Sequence, residues 1–113
     1  MKDSTKEKIK DFLKTLPSDT KISLETYLDY SYKVGGYPQI NLVITIQNSK
    51  GSYNYNQHNR DSIEWEVVPV GMYWFEKYII EKCKELDLCD IKTNYNLGIR
   101  EHKISNVLVS KLV

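Results

Sequence analysis

"ISLETYLDYSYKVGGYPQINLVITIQ", residues 22–47, decides the fold of this chain. Its first half alternates. Ile22, Leu24, Leu28, Tyr30, Tyr32 and Val34 fall on one side, with Thr26 among them. Ser23, Glu25, Asp29, Ser31 and Lys33 fall on the other, with Tyr27 as the exception. Successive side chains of a strand point to opposite faces, so this pattern predicts a long strand with one buried face. Gly35-Gly36 then signals a two-residue hairpin. From residue 39 to 47 the alternation resumes, with Ile40, Leu42, Ile44 and Ile46 opposed to Asn41, Val43 and Thr45. Pro38 fits only where the ladder needs no donor.

The pattern extends outward in both directions. "NSKG", residues 48–51, reads as a type I turn closed by a left-handed glycine. Residues 52–57 are therefore the return strand of a second hairpin, with Tyr53 and Tyr55 sharing a face. The polar run 58–61 makes an exposed tip, and Ile63, Trp65 and Val67 resume the alternation. Upstream, residues 3–16 predict an amphipathic helix with Ile9, Phe12, Leu13 and Leu16 at helical spacing. Asp3 or Ser4 is its expected cap, with Glu7 completing a capping box, and Pro17 stops it. Downstream, residues 72–88 predict a second helix. Met72, Phe75, Ile79, Cys83 and Leu86 form its stripe, which Trp74, Tyr78 and Ile80 widen. Residues 91–97 alternate as a strand, and residues 98–103 read as a turn. Residues 104–113 fit either period, and the valines favour a strand. The expected fold is α+β: one antiparallel sheet of five to six strands against two helices, in the order α-β-β-β-β-α-β-β, as a single domain over residues 1–113.

Composition narrows the function classes. The chain has 113 residues, 41% hydrophobic and 27% charged, the profile of a globular domain rather than a disordered segment. Its formal net charge of +1 argues against a strongly basic nucleic-acid binder. No apolar run approaches the roughly 20 residues of a membrane helix. "MKDSTKEKIK" is charged where a secretory h-region would be apolar, so a cytoplasmic chain with reduced thiols is expected.

No residue set carries a catalytic signature. Cys83, Cys89, His58 and His102 lack the paired spacing of a zinc site, so no metal and no cofactor is expected. Cys83 reads as a small core residue. A thiol nucleophile would need a base such as His102 nearby. Glu64 and Glu66 share one strand face near His58, the raw material of a metal-dependent nuclease, but a third carboxylate is not placed. Tyrosine and arginine, by contrast, are residues that anchor protein interfaces. Nine tyrosines are present. Tyr27, Tyr37, Tyr53, Tyr55, His58 and Arg60 are the candidate partner-binding residues.

In size and style the chain resembles small inhibitors encoded by phages and mobile elements. In helix-strand-helix order it resembles some immunity proteins of bacterial toxins. These resemblances imply a non-enzymatic protein that blocks a macromolecular partner sterically, as an anti-defence or immunity protein does. A protein partner is the first expectation and a small nucleic-acid-binding module the alternative. A homodimer through residues 104–113 as an edge strand completes the set.

Overall fold

The computed structural model describes residues 1–34, 37–56 and 70–113, with side chains for 1–29, 39–54 and 70–113. The Gly35-Gly36 turn, the polar tip 58–61 and the strand expected at 63–67 lie outside the described residues.

The chain forms α1 (Asp3–Thr15), β1 (Lys21–Val34), β2 (Tyr37–Asn48), β3 (Gly51–Asn56), α2 (Met72–Glu85), β4 (Asp90–Asn94) and β5 (Ile99–Leu108). A short 3₁₀ turn, Val109–Lys111, follows. The five described strands make a single antiparallel sheet in the order β3-β2-β1-β5-β4. The expected α+β architecture is present. β1 to β3 form a meander, and after α2 the chain returns on the other side of β1 as the β4–β5 hairpin.

The long alternation does what its period dictates. Ile22, Leu24 and Thr26 of β1 are buried, as are Leu42, Ile44 and Ile46 of β2. The ladder pairs Ile22 with Ile46 and Leu24 with Ile44, so one set of side chains from both strands meets the helices. α1 contributes Ile9 and Leu13, and α2 contributes Phe75, Tyr78, Ile79 and Cys83. These residues join Ile104, Val107, Val109 and Leu112 in one core cluster. Each fully buried aliphatic side chain there is worth on the order of 1.5–3 kcal/mol. Phe12 and Phe75 lock the two helices edge to face, with ring centroids 6.0 Å apart. The Tyr78 hydroxyl donates to the Leu112 carbonyl, which ties the chain end to α2.

Both helix ends depart from expectation. α1 begins one residue earlier than the cap reading assumed: Lys2 is the N-cap, and no side chain caps it. Asp3 and Ser4 are already inside the first turn, so the capping box of Ser4 and Glu7 does not form. Asp3 still favours the positive end of the helix. Leu16 turns extended, with ψ 148°, as a residue before proline must. α2 ends at Glu85 rather than 88, through a Schellman closure. Leu88 N–H donates to Cys83 O at 2.8 Å and Asp87 N–H to Lys84 O at 3.2 Å. Asp87 takes the left-handed position with φ 56°, where glycine is the usual signal. Trp74 does not widen the buried arc, since it is 41% exposed.

The C-terminal third differs most. β4 stops at Asn94, whose side-chain oxygen accepts from Leu97 N–H at 3.3 Å, and Gly98 with φ 64° completes the turn. Residues 99–103, expected as a turn, are the first half of β5. The mixed period of residues 104–113 has two causes: the 3₁₀ turn Val109–Lys111, which spaces buried Val109 and Leu112 three apart, and a bulge in β5 before it. Ser23 of β1 faces two residues of β5, Ser105 and Asn106, because the register slips between Ile22↔Val107 and Leu24↔Ile104. Asn106 sits at φ 49° in this bulge, donates its N–H to Ser23 Oγ at 2.9 Å and accepts from that hydroxyl at 3.2 Å. The extra residue puts Ile104 and Val107, three apart, on the same core face. That spacing imitates a helix. β5 lies between β1 and β4, and its ladder with β4 covers Ile99–Lys103, so the strand part of residues 104–113 ends at Leu108 and pairs with β1.

Candidate functional site

The sheet has two unlike faces. Among the described residues the helices and the 3₁₀ turn all pack on the face of Ile22, Leu24 and Ile44, and no helix covers the other. The register assigns that open face. Ser23, Glu25, Tyr27 and Asp29 come from β1, Asn41, Val43 and Thr45 from β2, and Ser52, Asn54 and Asn56 from β3. β5 adds Glu101 and Lys103, and β4 adds Asp90 and Lys92.

Its charges are ordered. Glu25 lies opposite Lys103, and Lys103 opposite Asp90, so one row across three strands reads minus, plus, minus. The next row sets Glu101 opposite Lys92. Opposite charges at such positions favour each other modestly. The ion pairs within 4.0 Å among the described residues are helical ones, Lys10–Glu7 and Lys82–Glu85. The facing charges of the sheet rows thus make no ion pair within 4.0 Å among the described residues. The β1–β2–β3 part of this face is held by side-chain hydrogen bonds. Asn41 Nδ2 donates to Asp29 Oδ2 at 2.6 Å, and Thr45 Oγ1 to Asn54 Oδ1 at 2.8 Å. Asn41 is 2% exposed, and its Oδ1 has no hydrogen-bond partner. Tyr27, opposite Asn41, is 36% exposed and stands beside the charged rows.

A groove opens where β5 diverges from β1. Their ladder ends at Glu25↔Lys103. Beyond it two side chains replace strand bonds: Thr26 Oγ1 accepts from His102 N–H at 2.7 Å, and Glu101 Oε1 accepts from Leu28 N–H at 2.9 Å. The second bond is charge-assisted, so it holds the divergence firmly. The resulting groove, about 330 Å³, is lined by Glu25, Tyr27, Asp90, Lys92, Glu101 and His102 among others. A second groove of about 440 Å³ shares Lys92 and Glu101 and runs on to Tyr95. Burial first, then the Lys84 and Arg100 cations, push the His102 imidazole below its ordinary value, so it is neutral at pH 7. Its Nε2 is buried without a partner.

No protein-family model matches the chain, and no curated protein or solved structure matches it.

The cysteines sit in the core rather than at this face. Cys83 is fully buried, and Cys89 packs against the same cluster. Burial, then the charge of Cys89, pushes the Cys83 thiol up to about 11, and burial raises Cys89 as well. Both are thiols at neutral pH, the opposite of what a nucleophile needs. Among the described residues no group of three His, Cys, Asp or Glu side chains is placed to hold a metal. No described helix is long and apolar enough to cross a membrane.

The residues singled out from sequence are dispersed. Tyr27 is on the open face. Tyr53 lies opposite Ile46 and Tyr55 opposite Ile44, so their register positions belong to the helix face at the sheet edge. Tyr53 is 37% exposed there. Tyr37 pairs with Val34 in the ladder, and its side chain is outside the described residues. His58, Arg60, Glu64 and Glu66 lie outside them altogether. Sequence reading missed Asp90, Lys92, Glu101 and Lys103, which join Tyr27 only through the pairing of β5 with β1. The signal was present: Asp-x-Lys at 90–92 and Glu-x-Lys at 101–103 each put opposite charges on one strand face.

Proposed function

We propose that the protein is a non-enzymatic binding protein that neutralises a macromolecular partner, a protein, by covering its functional surface with the open sheet face. The supporting observation is the face itself: five paired strands, no described helix over it, and an alternating charge row beside Tyr27. A pleated, hydrogen-bonded surface loses little conformational freedom on binding, which favours steric blocking. Alternating signs suit a partner with a complementary charge pattern and steer its approach. They suit a nucleic-acid backbone poorly, because affinity for phosphates comes from unbroken positive charge.

Pull-down from nuclease-treated lysate tests this reading with three variants. The captured protein is lost with Tyr27→Ala and with Lys103→Glu, and retained with Tyr53→Ala on the helix face. Capture that disappears on nuclease treatment turns the reading into the nucleic-acid one. Capture unchanged by Tyr27→Ala and Lys103→Glu places the contact elsewhere and overturns it.

A further inference from the structure

Among the described strands β4 is outermost, and its exposed groups include an apolar one. Edges are commonly blunted by short length, charged side chains or proline. Here Ile91 is 45% exposed and flanked by Asp90 and Lys92, one charge of each sign. Exposed apolar groups gather at the strand's two ends: Leu86 and Leu88 before it, at 42% and 37%, and Tyr95 after it, at 90%. Neither Asp90 nor Lys92 has an ion-pair partner within 4.0 Å among the described residues.

We infer that β4 pairs antiparallel with β4 of a second copy of this chain, on a two-fold axis at Ile91. A two-fold antiparallel pairing places each residue opposite one equally far on the other side of the axis. With Ile91 opposite its twin, Asp90 meets Lys92 of the second copy and Lys92 meets its Asp90. Both contacts fall on the open face, because Asp90 and Lys92 lie opposite Lys103 and Glu101. The charge order then runs unbroken through the junction: Glu25, Lys103, Asp90, then Lys92 and Glu101 of the second copy, signs alternating throughout. Tyr95 arrives opposite Asp87 of the second copy, beside its Leu86 and Leu88, where exposed apolar surface meets its like. Shifting the axis by one residue to Lys92 would set lysine against lysine, so charge selects the register. The product joins the five described strands of each copy into one continuous sheet with both open faces on one side. Its backbone pairing is at the edge of β4 and its test reads self-association alone, so it stands or falls independently of the partner-binding reading.

Sedimentation velocity on the full chain, from about 10 µM to about 1 mM, tests it, since a junction of one short strand is of the weak class. Wild type associates with rising concentration. Lys92→Asp leaves two acids facing two acids, and Asp90→Lys two lysines facing two lysines, so each alone weakens association about tenfold or more. An equimolar mixture of the two single variants associates like wild type, because only the mixed pair restores opposite charges. Asp90→Lys with Lys92→Asp in one chain also associates like wild type. Far-ultraviolet circular dichroism confirms that the variants fold. A wild type that stays monomeric throughout overturns the inference. So do single variants that associate as wild type does, or a mixture that fails to restore association.

Discussion

β1 is zipped on one side and stapled on the other. Toward β2 its ladder runs from Lys21 to Asp29 without a break and resumes at Lys33 after a register shift. Toward β5 it pairs only from Lys21 to Glu25, across a bulge, and then gives way to side-chain bonds from Thr26 and Glu101. β2 follows β1 almost at once in the chain, at little loop-closure cost. β5 arrives dozens of residues later, so its register rests on packing and on individual hydrogen bonds. The groove and the charged rows lie on the stapled side. Function is proposed where the fold is held by the fewest regular bonds.

That contrast can be broken at graded points. The largest effect is expected from Ile104→Ala, which empties a core site that β5 fills against Leu24. Unfolding in urea should lose about 2–5 kcal/mol, as for other fully buried aliphatic truncations. A loss under ~1 kcal/mol would mean that β5 is not seated on the core. Glu101→Ala comes next. It removes the acceptor of Leu28 N–H and should cost about 1–3 kcal/mol, while Glu101→Gln keeps an acceptor and costs less. Equal losses for both variants would show that the staple is not what holds the divergence. Asp87→Gly should act in the opposite direction. Its φ of 56° is free for glycine and strained for aspartate, so a gain of up to about 1 kcal/mol is expected in the same assay. The smallest effect is a pH slope. The folded His102 has a lowered pKa, so the unfolded chain binds the proton more readily. The stability that neutral His102 contributes is complete above about pH 6.5 and is lost as pH falls through the lower folded value. Thermal melts between pH 7.5 and 5 should show that decline, and His102→Gln should flatten it.

Legibility followed the same division. The first three strands, the stripe of both helices and the α+β class were plain in the residues, because each rests on a period that neighbours in sequence express. The end of α2 was misread because Asp87 occupies a position that glycine usually announces. Residues 99–103 were misread because "IREHK" is mostly polar. It forms a strand since Glu101 and Lys103 face the open side while the backbone pairs with β4. Tyr27 and Tyr53 looked alike as exposed aromatics, yet the β2–β3 register sends them to opposite faces.

The sequence by itself determined which face of each element carries the core, since a strand's period of two and a helix's of 3.6 are local properties of the backbone. Ile40, Trp74 and Leu86 are exposed exceptions and Asn41 a buried one. Only the tertiary structure decided which strand lies beside β1, and with it the neighbours of Tyr27. That choice depends on long-range pairing, on a bulge at Asn106 that imitates a helical spacing, and on two side chains standing in for ladder bonds. None of these has a period to read.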